Sequence, residues 1–219
     1  MSSTINLIEF LPLVRPHAPG AAIPNMTQAL RKAAIEFCEK TRCWRYRVNV
    51  QVTRQDYPVV TPAYAEIHEI ERAEFDGNRL TPVEYDDLTF QELSQAEAGV
   101  PHLITQMTYD QVAIVPFATG SLSLSLFLKP RHGDNMTTGT DGLPSNFYDL
   151  VPEVLYSRFG ETIASGAIAR LLIIPQQPFT NLDLAAVHQA KFEDGVSRFN
   201  AANVRGQHRA RPRVRASWF

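Results

Sequence analysis

The chain has 219 residues, 44% of them hydrophobic and 20% charged, enough apolar side chain for a sizeable core in one domain or one domain carrying an insertion. No apolar run reaches the roughly 18–20 residues of a membrane-spanning helix, and no basic stretch precedes an apolar segment at the start, so neither a spanning protein nor a secretory leader is expected. The net charge of −2 hides an asymmetry: residues 205–219 hold Arg205, Arg209, Arg211, Arg213 and Arg215 and no acid, which leaves the remaining body with 16 bases against 23 acids.

In chain order, Leu7, Phe10, Leu11 and Val14 follow Ser2, Ser3 and Thr4, which predicts a short capped helix stopped by Pro12 or Pro16. After a proline-rich connection, Met26, Leu30, Ala33, Ala34, Phe37 and Cys38 recur at three and four residues, an amphipathic helix over about 25–42. From Trp44 the period changes to two. Tyr46, Val48, Val50 and Val52 alternate with Arg45, Arg47, Asn49 and Gln51, as on a half-buried strand. Asp76-Gly77-Asn78, between Ile67–Phe75 and Leu80–Val83, reads as a hairpin turn. Acidic residues 85–100, with Leu88, Phe90, Leu93 and Ala96, suggest a short helix between strands, and strands resume at His102–Tyr109, Gln111–Phe117 and Ser121–Leu128. Polar, glycine-rich residues from Pro130 to Asn146 have little to bury and read as a flexible loop.

Helical period returns with Val151, Leu155, Phe159, Ile163, Ala167 and Leu171, a helix over 150–174 whose Gly160, Ala164 and Gly166 admit a close neighbour; Pro175 and Pro178 stop it. Thr180 or Asn181 can cap a last helix, 181–205, that turns Leu184, Val187, Phe192, Val196 and Phe199 inward. The fold class expected is therefore α+β. A helical bundle from 1–44 and 145–205 carries an antiparallel β domain, 45–130, inserted between its second and third helices; 131–144 is a loop and 206–219 an extended C-terminal arm.

Motifs for chemistry are missing. Thr119-Gly120-Ser121 lacks the second glycine and following helix of a nucleophile elbow, and Gly139–Gly142 lacks the lysine and helix of a phosphate loop. The histidines (His17, His68, His102, His132, His188, His208) are scattered and none pairs at helical spacing with a catalytic glutamate; Asp134 and Asp141 lack calcium-loop spacing. Catalytic, metal and cofactor sites are accordingly expected to be none. Cys38 and Cys43 point to a reduced, intracellular site of synthesis and to a structural role, because a disulfide between residues five apart on one helix is geometrically awkward. The tail RGQHRARPRVRASWF combines spaced arginines with Val214, Trp218 and Phe219. Its readings are docking on a protein partner, contact with nucleic acid through phosphates and base stacking, or solvated disorder.

Several stretches resemble one family. These are Ala29–Cys38 (ALRKAAIEFC) leading to Thr41-Arg42-Cys43-Trp44; Ile163–Leu172 (IASGAIARLL) with Pro175 and Pro178-Phe179; Asn181-x-x-Leu184-Ala185-x-x-His188-x-x-x-Phe192-x-x-Gly195; and the closing Arg213-Val214-Arg215-x-x-Trp218-Phe219. Together they are similar to the head–tail adaptor (connector) proteins of tailed bacteriophages, with Phe179 where tryptophan is the commoner choice. The resemblance covers the helices and tail and only loosely the sheet. It implies a structural virion protein, made in the host cytoplasm: a homo-oligomeric ring, commonly dodecameric, below the portal protein, joined to a downstream tail or nozzle protein, with DNA passing unbound through its lumen and no membrane partner. It also implies a portal-docking arm, for which Arg209, Arg211, Arg213, Val214, Arg215, Trp218 and Phe219 are the candidates. Bundle or ring packing falls to Phe37, Phe159, Gly160, Ile163, Gly166, Leu171, Phe192 and Phe199. An acidic body suits a channel that lets DNA slide. A nucleic-acid-binding module using the arginine tail is the alternative, and an enzyme acting on the host envelope would need a carboxylate pair that spacing does not offer.

Overall fold

The structure, a computed structural model, describes residues 3–53, 58–89, 99–132 and 149–204. The fold is mixed α+β, with four α-helices and a curled, mostly antiparallel sheet among the described residues. It divides into two compact units, one made of Met1–Asn6 with Trp44–Pro152, the other of Leu7–Cys43 with Glu153–Phe219.

In the first unit, strand β1 (Thr4–Asn6) pairs antiparallel with β8 (Leu150–Pro152). The six-stranded sheet is built from β2 (Arg45–Val52), β3 (Ala65–Phe75), β4 (Asn78–Pro82), β5 (Leu103–Gln106), β6 (Val112–Val115) and β7 (Gly120–Pro130), in the order β2-β7-β3-β4-β5-β6. Leu122, Leu124, Leu126 and Leu128 of β7 are buried on one face with Ile67, Ala73, Phe75 and Leu80, while Ser121, Ser123 and Ser125 alternate onto the other. The sheet departs from the antiparallel expectation at one place. β4 and β5 run parallel, Thr81 opposite Leu103, because the connection from Val83 to His102 is long enough to return the chain to the same end. Of the stretch 85–100, expected to hold a short helix, Tyr85–Asp87 form a 3-10 turn that ends at an extended Leu88, and residues 90–98 lie outside the described residues, as does most of the expected loop.

β3 departs from regular pairing at two points, the register against β7 shifting between Ile67 and Glu69 and again between Ile70 and Arg72. Each shift leaves one extra residue, His68 and then Glu71, and such bulges bend a strand and increase its twist, which is the local cause of the sheet's curl. The hairpin forms where expected, with Phe75 opposite Asn78. Its positive φ values fall on Asp76 and Gly77, the aspartate–glycine pair that a tight two-residue turn favours.

In the second unit, a 3-10 turn at Leu7–Phe10 runs into α1 (Leu11–Val14), with Pro12 in the first turn. Pro12 therefore opens this helix rather than stopping it, since an N-terminal N–H has no helical partner to lose, whereas the other expected stop agrees with the helix ending at Val14, two residues before Pro16. The chain before it is strand rather than helix. α2 spans Ile23–Thr41, α3 Glu153–Leu172 and α4 Leu182–Val204. α3 starts later than the apolar period suggests: Pro152 holds Val151 extended, so 150–152 become strand and the helix follows. Asn181 caps α4, its Oδ1 accepting the Leu184 N–H at 3.0 Å.

Candidate functional site: helix packing and a charged sheet face

The helices meet through rings and glycines. Phe37 of α2, Phe159 of α3 and Phe199 of α4 form a closed triangle, with centroids 5.0 Å (37 to 159), 4.6 Å (159 to 199) and 5.9 Å (37 to 199) apart. Two of these contacts are edge-on, the arrangement that aromatic quadrupoles favour. Phe37 is fully buried, Phe159 nearly so, and Phe199 half-buried. Ile163, Leu171 and Phe192 are buried in the same unit. The helices α3 and α4 interlock reciprocally. A Cβ on Gly166 would lie 2.7 Å from the Phe192 ring, and one on Gly195 would lie 2.5 Å from Thr162, so each helix offers a glycine socket to a side chain of the other. Gly160 is different: its nearest neighbours, Leu13 and Tyr156, would be at an ordinary 3.6 Å.

Sequence reasoning grouped Gly160 with Gly166 and missed three features. Arg170 of α3 donates to the Gly166 carbonyl at 2.6 Å, pairs with Glu36 of α2, and places its guanidinium 5.5 Å from the centre of the Phe192 ring. It stood inside IASGAIARLL as a lone charge on an apolar stripe, which was the available signal. Second, the His17 and His188 rings meet edge-on at 4.8 Å, although 171 positions of sequence separate them only in the linear chain. His188 is 4% exposed and its Nδ1 has no hydrogen-bond partner among the described residues. Burial, followed by the charges of His17 and Lys191, pushes its pKa below the ordinary histidine value.

The third is on the sheet. The bulge at Glu71 turns its carboxylate onto the polar face, where Arg45 grips it from Nε at 2.8 Å and Nη2 at 2.7 Å and the Ser125 hydroxyl donates at 2.6 Å. Partial burial works to raise the Glu71 pKa, but the Ser125 and Arg45 hydrogen bonds, with the charges of Arg45 and Arg47, hold it below the ordinary value. Around it lies an open hollow of about 610 Å³ lined by Arg47, Asn49, Glu71, Arg72, Glu74 and Arg79, among others. Arg72 is paired with Glu74, so the hollow carries both signs of charge. No group of three or more metal-ligating side chains is found among the described residues, and no helix there is long and apolar enough to cross a membrane.

The cysteine expectation needs correcting. α2 ends at Thr41, and Arg42 takes the left-handed conformation, φ 50 and ψ 36, so Cys43 is off the helix and its sulfur comes back to 3.8 Å from that of Cys38. The arm candidates Arg209, Arg211, Arg213, Val214, Arg215, Trp218 and Phe219 lie outside the described residues.

The family described as SU10 adaptor protein matches this chain over residues 5–216. The chain belongs to that family. No curated protein matches it. The SU10 adaptor proteins are phage adaptors, so the chain is a structural component of a phage virion, working with other head or tail proteins. The match runs through both units and into the arm as far as residue 216, including the sheet that the sequence resemblance reached only loosely. Phe179, the departure noted above, is 7% exposed and fills a buried position.

Proposed function

We propose that this SU10 adaptor protein assembles into a ring, dodecameric as in the family it resembles, which joins the portal to the next tail component and lets DNA pass through its lumen. The family match across nearly the whole chain is the observation that carries the reading. In this assembly the helical bundle of 1–44 and 145–205 builds the wall, the inserted β domain of 45–130 faces the downstream tail or nozzle protein, and the arm 206–219 docks on the portal. The composition of the arm supports its role, because arginines and terminal aromatics are the residue types that dominate interface energetics. The acidic balance of the body supports DNA passage without binding, since like charge repels phosphates. The role is structural and needs no catalytic group.

The test is the mass and symmetry of the purified chain, alone and mixed with its portal ring, by light scattering and particle imaging at physiological salt, for the full chain and for one lacking 206–219. A symmetric complex that forms with the full chain and fails with the truncated one is expected. Normal portal attachment by the truncated chain overturns the docking role of the arm. A chain that stays monomeric, ignores portal and binds DNA with a salt slope near five phosphates, the number of arginines in 205–219, replaces the ring with a nucleic-acid module.

A further inference from the structure

The end of α2 brings two thiols together by backbone geometry alone. Arg42 N–H donates to the Cys38 carbonyl at 2.8 Å, and Arg42 itself is left-handed, which is the αL ending of a helix. In that ending the residue two beyond the last helical one folds back over the residue at the start of the final turn. Here those two residues are Cys43 and Cys38, and their sulfurs lie 3.8 Å apart. An S–S bond is about 2.0 Å long, so closing it asks for an approach of about 1.8 Å. Cys38 is fully buried and Cys43 only partly, so Cys43 is the less shielded of the two. Contact with Cys38 and with Thr41 lowers the Cys43 pKa, against the opposing effect of burial, while Cys38 is raised. The pair therefore has an attacking thiol and a resolving one.

We infer that Cys38 and Cys43 are a redox pair, reduced during synthesis and closing to an intramolecular disulfide at the C-terminal end of α2 when the protein meets a disulfide oxidant. The chemistry balances with oxidised glutathione. The Cys43 thiolate attacks one glutathione sulfur, forming a mixed disulfide and expelling a glutathione thiolate that takes up a proton. The Cys38 thiol then gives its proton to solvent, attacks the Cys43 sulfur and expels the second glutathione, so two protein thiols are oxidised and one glutathione disulfide is reduced to two thiols. A virion component meets such conditions when it leaves the reducing cytoplasm. The inference does not depend on the ring proposal.

Trypsin supplies the readout, because it cuts after Lys32, Lys40, Arg42 and Arg45 and so separates the two cysteines. The full-length folded chain is equilibrated in glutathione redox buffers, trapped with acid and an alkylating agent, digested and weighed. Peptides 33–40 and 43–45 are expected joined, lighter by two hydrogens than their sum and released by reductant. The equilibrium constant against glutathione should be at least about tenfold larger in the folded chain than in the same chain unfolded in urea, because the fold holds the sulfurs in contact. Cys43→Ser should leave Cys38 resistant to glutathione adducts. Both cysteines alkylated with no joined peptide, disulfides only between chains, or equal constants in folded and unfolded chain overturn the inference; the wild-type measurement decides it even if a variant fails to fold.

Discussion

Gly166→Ala and Gly160→Ala make a matched pair of perturbations on one helix. Both replace a buried glycine inside α3, and both gain about 1 kcal/mol of helix propensity, because alanine loses less backbone freedom on folding. Their surroundings differ. At 166 the new methyl would stand 2.7 Å from Cδ2 and 2.9 Å from Cε2 of Phe192, where 3.4 Å is the start of ordinary contact, so about 0.7 Å must be made up. Phe192 is fully buried and cannot swing out, so α3 and α4 must separate or the ring must leave its rotamer, an overpacking cost of about 1–3 kcal/mol. At 160 the methyl meets Leu13 and Tyr156 at 3.6 Å, an ordinary contact. Gly160→Ala should therefore stabilise by about 0.5–1 kcal/mol, while Gly166→Ala should range from neutral to about 2 kcal/mol destabilised. Propensity is common to both, so the difference between the variants isolates the clash. At 2–4 °C per kcal/mol for a chain of this size, a clash of about 1–3 kcal/mol should set the two midpoints apart by about 2–12 °C in thermal unfolding, and urea titration should rank them the same way. Equal midpoints, or a Gly160 variant less stable than the parent, would refute the interlock reading.

Other outcomes follow from the same contacts. Arg170→Ala removes the bond to the Gly166 carbonyl, the Glu36 pair and the contact with Phe192, and should cost about 1–2 kcal/mol in urea unfolding, the ion pair being discounted because both partners are about a quarter exposed. Because the folded chain holds the His188 pKa below the ordinary 6.5, the unfolded state takes up a proton first, so this stability is complete above pH 6.5 and falls as pH drops through it; His188→Gln should flatten that slope in a pH series of unfolding curves. Glu71 runs the same way at lower pH, its stabilisation being present above the ordinary carboxylate value and lost as pH falls through its depressed one, and Arg45→Gln should move its NMR titration upward toward 4.5.

What was legible in the sequence was periodicity. The step of two in β2 and β7 and the step of three and four in α2, α3 and α4 follow from one face being buried, so the elements appear within a few residues of where the pattern puts them. What was not legible came from local overrides of that pattern. Val151 carries the apolar period of α3, yet the proline after it forces extension; Pro12 reads as a stop until the start of α1 is known. The extra residues His68 and Glu71 are invisible because a bulge shows only against the partner strand, and the parallel step from β4 to β5 depends on the path of a long connection. Cys43 returns to Cys38 because Arg42 is left-handed, and an arginine gives no hint of that where a glycine would have.

Two of the stretches by which the family was first visible, IASGAIARLL and the run from Asn181 to Gly195, are packing devices. Within IASGAIARLL, Gly166 receives Phe192, Arg170 ties α3 to Glu36 of α2, and Ile163, Ala167 and Leu171 are buried. In the last helix, Phe192 and Gly195 are the reciprocal parts of the same interlock. These residues specify how three helices of one chain pack. Other side chains are left free to vary by packing. On the sheet these are the polar-face side chains around Glu71, held in place by a bulge rather than by burial. Substituting Arg47 or Arg79 there should leave stability within about 0.5 kcal/mol, as for exposed residues generally. A loss of several kcal/mol at Arg47 would show that this face is part of the fold's own support and remove it as a candidate for recognition.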